Sequence, residues 1–340
     1  MNDLFEKLLI LRTPKIGPAR YNDLVARFGS VWAAAESLKS DVAHIDMVRR
    51  EMDLAVKFGI EYICDDDARY PYALKMIKNH PPVITARGNI STLAKPMVAM
   101  VGTRHATAAG MGFIADLANA FALRGFAVAS GMAMGTDTAA HRGALRTCGN
   151  GVTVAVLAGG ADYIWPLENE SLYCQILERG AVISEMPVGF EPRTTNFVQR
   201  NRWIAGLSEK LILGEADMKS GSMTTARFAT EYGREVWAIP SHPLDPRALG
   251  PNSLIRSGDA KLCIGVQDFF CDDKKEKNNK KIITKNDSEN VLIDNLGNIP
   301  VSESVLAEIV KKSVSEIKSE LVVLELQGLV RKVDGGYVKM

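Results

Sequence analysis

Between residues 98 and 252 the chain gathers glycines, hydroxyls and arginines into clusters, each set close behind a short apolar run. Gly102-Thr103-Arg104-His105 follows Met97 to Val101, and Ser130-Gly131-Met132-Ala133-Met134-Gly135 follows Phe126 to Ala129. Arg200-Asn201-Arg202 and Lys219-Ser220-Gly221-Ser222 add cations and further hydroxyls. Small residues let backbone amides come close to a ligand, and an arginine fork matches the oxygens of a phosphate. Serines just ahead of a helix, here expected over 224–232, leave helix amides for an anion. The chemistry these residues suit is polyanion binding, at Gly102, Arg104, Ser130, Gly131, Ala133, Gly135, Lys219, Ser220, Gly221, Ser222 and the 200–202 triplet, with at least one of Arg200 and Arg202 facing the ligand beside Asn201.

Candidate acids and bases are scarcer. Asp137 and His141 share one helix face and read either as an acid/base or metal pair, or as a capping aspartate with a histidine bonded to it. Glu185 and Glu215 close predicted strands and read either as a general base or as partners for nearby arginines. No Ser/His/Asp or Cys/His arrangement emerges. No catalytic residue, metal site or cofactor is therefore expected.

The elements that must hold these clusters are short apolar runs alternating with helical stretches, the pattern of βαβ units on a parallel sheet. Strands are expected near 97–102, 126–130, 152–158, 181–185, 210–215 and 235–239, which places every cluster at a strand's carboxyl end, where open α/β sheets bind ligands. The fold class is α/β: an extended Rossmann-like parallel-sheet core over 61–271. Residues 1–60 form a helical domain, with Leu4, Leu8, Leu11, Tyr21, Leu24, Val25 and Phe28 at helical spacing. The turn Pro14-Lys15-Ile16-Gly17-Pro18 inside it reads either as a helix-hairpin-helix phosphate contact or as plain packing. The polar, lysine-rich 272–288 is expected to be a flexible linker. Residues 289–340, two helices and a hairpin turning at Gly335-Gly336, fit a winged-helix domain.

The chain has 340 residues, with 41 basic against 40 acidic side chains, so a polyanion must be met by a local patch and not by the field of the whole molecule. Five widely spaced cysteines without a C-x-x-C pair disfavour a disulfide framework or a zinc site and suit a reducing cytoplasm. No apolar run approaches the roughly 20 residues of a spanning helix, so no membrane contact is expected.

Taken together, Val101-Gly102-Thr103-Arg104, the loop Ser130 to Asp137 with Ala140-His141, Ile183-Ser184-Glu185, Phe197 with Arg200-Asn201-Arg202, and Ser220-Gly221-Ser222 with Thr225-Ala226 closely resemble the DprA/Smf family. The resemblance runs over nearly the whole chain and implies a sterile-alpha-motif-like helical domain, an extended Rossmann core and a winged helix. It further implies a cytoplasmic protein that binds incoming single-stranded DNA, forms a homodimer and loads a RecA-type recombinase in natural transformation. Thr103, Thr136 and Pro240-Ser241-His242 depart from the family pattern, the last at one rim of the expected pocket. Two alternatives remain: a Rossmann-type nucleotide-binding protein, and a nucleotide phosphoribohydrolase. The hydrolase signature aligned at Gly221 puts Phe228 where its catalytic acid would stand, which argues against that chemistry.

Overall fold

The structure is a computed structural model that describes residues 3–147, 152–270 and 292–339, the last stretch without 294, 298, 299 and 334. It divides into two compact units, Met1–Cys271 and Asp272–Met340. The expected linker, 272–288, lies outside the described residues.

The first unit opens with four helices, α1 (Leu4–Arg12), α2 (Pro18–Phe28), α3 (Val31–Ser37) and α4 (Val42–Phe58). Leu8, Leu9 and Val48 pack into one small core, and Ile10, Tyr21 and Ala34 into another. Serine and aspartate caps start α3 and α4, while Gly29 and Gly59 end α2 and α4 in the left-handed conformation.

A nine-stranded sheet follows: β1 (Ile60–Cys64), β2 (Val83–Gly88), β3 (Met97–Val101), β4 (Ala127–Ser130), β5 (Val152–Val156), β6 (Ala181–Ser184), β7 (Lys210–Leu213), β8 (Glu235–Ala238) and β9 (Lys261–Leu262). Its order is β1-β2-β6-β5-β4-β3-β7-β8-β9. The six strands expected from the sequence are all present and mutually parallel. The sheet is nevertheless mixed, because β2 pairs antiparallel with both β1 and β6. The connection from β1 to β2 holds only the short helix α5 (Tyr72–Lys75), and an antiparallel partner needs no helical crossover.

Both faces of the sheet are covered, so its inner strands are apolar on both sides. Along β3, Met97, Ala99 and Val101 enter one core, while Val98 and Met100 enter the other. That second core includes α6 (Ala108–Leu123) and α7 (Thr136–Leu145); the first includes α9 (Thr194–Leu207) and α10 (Gly221–Glu231), and α8 (Glu170–Arg179) closes a third with β5 and β6. Strand order reverses beside β3: the chain runs outward through β4, β5 and β6, then returns by α9 to lay β7 on the other side. A switch of this kind leaves a crevice beyond the carboxyl ends of the strands.

The second unit, by itself, holds helices Glu303–Val310 and Val314–Leu326, both capped by serine, and a hairpin of β10 (Val330–Val333) and β11 (Gly336–Lys339) around a core containing Leu306, Leu321 and Tyr337.

Helices α6 and α7 meet backbone to backbone at Gly143, where an added Cβ would stand 2.2 Å from the Ala115 carbonyl oxygen. Gly143→Ala is expected to destabilise the unit by about 1–3 kcal/mol through overpacking. Gly112→Ala, in open space on α6, should instead be neutral or stabilising by up to about 1 kcal/mol. Urea unfolding of the two variants side by side checks the pair.

Candidate nucleic-acid interface

An open cleft of about 640 Å³ sits at the switch point. Its walls are the loop after β3, the end of the loop after β4, one face of α9, the loop into α10, and the turn carrying Pro246 and Arg247. Of the residues expected from sequence, Gly102, Arg104, Ala133, Arg200, Asn201, Lys219, Ser220, Gly221 and Ser222 line it.

The loops converge through close contacts. Gly135, at φ +74°, brings its Cα so near the 103–104 backbone that a Cβ would lie 2.5 Å from the Thr103 carbonyl oxygen. The two threonines that depart from the family pattern meet there, the Thr136 amide and hydroxyl each donating to the Thr103 carbonyl at 3.2 Å. Glu215 fixes the other side. Its carboxylate accepts from the Thr107 amide at 2.7 Å and from the Thr107 hydroxyl, which itself caps α6. Glu215 is thus committed to loop structure.

The expected role of the 130–135 amides needs correction. Ser130 is fully buried and its hydroxyl donates to the Met100 carbonyl at 2.7 Å. The amides of Gly131 and Ala133 donate to Asp137 at 3.2 and 3.3 Å, which leaves neither for a phosphate. Asp137 therefore caps its own preceding loop, and His141 bonds elsewhere. At the next peptide along, Arg200 donates to the carbonyl of Gly131, and also to that of Val156. A Cβ at Gly131 would stand 2.6 Å from that guanidinium and would have to push it off its carbonyl partners. Burial lowers the pKa of Arg200 to about 10, with Asp137 opposing the shift, and burial raises that of Asp137 against the pull of Arg200 and the two amides.

Arg200 and Arg202 thus part company. Arg200 reaches the cleft floor as a buried strut, while Arg202 turns to the opposite side of α9, stacks 4.3 Å over Trp203 and reaches the Asn79 carbonyl at 3.4 Å. The exposed cations are Arg104 and Lys219, neither with an ion-pair partner among the described residues. Arg104 lies 4.9 Å over the Trp165 ring and 5.6 Å over Phe197, whose rings meet edge to face at 4.6 Å. Ser220 caps α10, and its amino-terminal turn opens on the cleft beside Asn201, which donates to the Gly221 carbonyl at 3.3 Å.

Sequence reasoning missed Trp165 and Arg247. Trp165 belongs to a loop after β5 with no cluster of its own, and Arg247, bridged to Asp245 at 2.8 Å, lies just beyond the departing Pro240-Ser241-His242 segment. The assembly can hold a phosphate chain on cations and helix amides, and stack rings on Trp165 and Phe197. Among the described residues no group of histidines, cysteines and carboxylates could hold a metal ion. No helix there is long and apolar enough to cross a membrane.

His141 is buried against β5. The Thr153 hydroxyl gives its proton to Val128, so the ring's Nδ1 must donate to Thr153, at 2.6 Å. Burial lowers the ring's pKa from 6.5 to about 3. The folded protein therefore refuses a proton that the unfolded chain binds below pH 6.5, and this contribution to stability is lost as pH falls. The limiting slope is about 1.4 kcal/mol per pH unit. His141→Asn is expected to flatten the acid side of the stability profile, measured by urea unfolding at pH 7, 6 and 5; parallel profiles would refute the assignment. Arg200→Ala, which strands a buried carboxylate, should cost about 3–5 kcal/mol.

Comparison with known proteins adds the following. A family model described as DNA recombination-mediator protein A matches residues 61–272, a DprA winged helix domain matches 278–336, and a DprA-like N-terminal HHH domain matches 2–52. Protein Smf of Synechocystis is 39% identical over 58% of this chain and 50% of its own length, so the alignment spans half of that relative. The X-ray structure of DNA processing protein A from Streptococcus pneumoniae superposes with a TM-score of 0.62 at 32% identity, over 77% of this chain and 91% of that one. A Helicobacter pylori structure, described as giving insight into a single-stranded DNA binding mode of DNA processing protein A, superposes with a TM-score of 0.57 at 29% identity, over 62% and 94%.

Proposed function

This chain belongs to the DNA recombination-mediator protein A family, known as DprA/Smf, and we propose that it binds single-stranded DNA in the switch-point cleft. The observation that carries the reading is the pairing of Arg104 with Trp165 and Phe197: a phosphate-seeking cation seated on two rings against which unstacked bases can lie. Lys219 and the start of α10 supply a second phosphate position across the cleft. A single strand, unlike a duplex, presents ring faces and phosphates together. Gly102, Ala133, Gly135 and Gly131 shape the cleft in this reading, Ser130 and Arg200 brace it, and Asn201, Ser220, Gly221 and Ser222 form its α10 wall. Arg202 lies outside it.

Binding without catalysis fits the commitment of Asp137 and Glu215 to loop amides. The hydrolase alternative gains nothing from Phe228, which packs on the core beneath α10. We further propose the family's cytoplasmic role in natural transformation, with a RecA-type recombinase as partner and a homodimer as the working form. The exposed Leu262 and Ile264 on and just after the short edge strand β9 support self-association. The proposed division is a helical domain over 1–60, the DNA-binding core over 61–271, a linker over 272–288 and a winged helix over 289–340.

Titration of a fluorescent oligonucleotide tests the cleft. Arg104→Ala and Lys219→Ala should each weaken single-strand binding by about tenfold at low salt and reduce the salt slope by about 0.7 for each phosphate that is no longer neutralised. Trp165→Ala should cost about 1–3 kcal/mol with the slope unchanged, since stacking releases no counterions. Unaltered affinity in all three, with folds intact, would dismiss the cleft as the binding site.

A further inference from the structure

Helix α9 has a second working face. Opposite the cleft, Arg202 and Trp203 help to enclose a pocket of about 480 Å³ between the core and the turn joining α1 to α2. That volume is in the range of small-molecule sites. Prolines 14, 18, 81 and 82 provide flat apolar walls. The polar end is unusual. Trp203 is 3% exposed and its indole N–H points to the Glu185 carboxylate, while Arg202 Nε is buried without a hydrogen-bond partner. An orphaned buried donor costs roughly 1–3 kcal/mol, so a ligand that engages the Arg202 guanidinium and lets it re-pair recovers part of that cost. Glu185 itself has no ion pair among the described residues. Arg12, also on the wall, is already held bidentately by Glu51 at 2.7 and 2.8 Å.

We propose that this pocket is a second nucleotide site, selective for guanine, in which Glu185 accepts from the N1–H and N2–H groups of the base while the half-buried Arg202 guanidinium donates to O6. A guanidinium donor beside a carboxylate complements the guanine edge, which offers an acceptor next to two donors; adenine would set its bare N1 against the carboxylate. Burial raises the pKa of Glu185 against the pull of the Trp203 indole and the Arg202 and Arg12 guanidiniums, and N–H donors from a bound base would oppose that rise by stabilising the carboxylate. The exposed Lys15 and the uncapped start of α2 stand at the rim, where the 5′-phosphate would leave the pocket. The pocket shares no lining residue with the cleft, so the two sites stand or fall separately.

The base can belong to a free nucleotide or to one residue of a bound strand, and calorimetry on the full chain separates the two. With the cleft saturated by oligo-dT, dGMP should bind at least about tenfold tighter than dAMP if the ligand is free. If it belongs to the strand, an oligo-dT carrying one dG should bind tighter than oligo-dT alone. In either case Glu185→Gln should abolish the guanine preference and leave oligo-dT affinity unchanged. Equal binding of dGMP and dAMP with no gain from a dG residue, or displacement of dGMP by oligo-dT, would overturn the proposal. Photo-crosslinking of wild-type protein with 8-azido-dGMP keeps the test open if Glu185→Gln does not fold: adducts are expected within 11–18 or 81–83, and adducts at 102–105 or 219–225 instead would refute it. Loss of oligo-dT binding in Arg104→Ala reports on the cleft alone.

Discussion

A buried guanidinium ties one helix to two strand ends. Arg200 leaves α9, reaches beneath the cleft floor and donates to the carbonyls of Gly131 after β4 and Val156 at the end of β5. The amide of Gly131, which belongs to the preceding peptide group, donates to Asp137, which also takes the Ala133 amide. A buried guanidinium and a buried carboxylate thus satisfy the polar backbone of one short loop, and each eases the other's loss of water by charge attraction. Remove either and the other becomes uncompensated in a low-dielectric interior. The loop held in this way is the one whose Gly135 is pressed against the backbone of residues 103 and 104.

Because the floor consumes its own amides, the anion-binding capacity of the cleft has moved to its walls. Arg104 and Lys219 stay exposed, and Asn201 and the start of α10 face the same space. The consequence is a division between rigid and adaptable parts. The buried strut fixes where the strand ends lie, and long exposed side chains on those ends adjust to a flexible polymer. Arg104 shows both characters, being exposed yet oriented by the two rings on which it rests. Helix α9 extends the division outward, because it gives Arg200 and Asn201 to the cleft and Arg202 and Trp203 to the pocket behind it.

Much of this was legible in the residues. The apolar runs at β3, β4, β5, β6, β7 and β8 announced a parallel sheet, because a strand buried on both faces needs no polar alternation. Glycines, hydroxyls and cations placed just past those runs marked the carboxyl ends as the binding side. Phe228, standing where the hydrolase acid would be needed, already weighed against that chemistry. What misled was treating small residues as free amides. A glycine in a sequence says that something comes close; at Gly131 it is the protein's own arginine, and at Gly135 the protein's own backbone.

The sequence by itself determined the α/β class, the helical start, the strand-end location of the clusters and their polyanion character, since local pattern and side-chain chemistry suffice for each. Tertiary structure alone decided that β2 runs antiparallel, that Arg200 points inward and Arg202 away, that Asp137 and Glu215 serve loops, and that Trp165 joins Phe197 under Arg104. Those outcomes depend on which groups compete for the same hydrogen-bonding partners once distant segments meet. A donor's partner is settled by three-dimensional proximity and by the cost of leaving any buried polar group unmet, and neither is written in the spacing of residues along the chain.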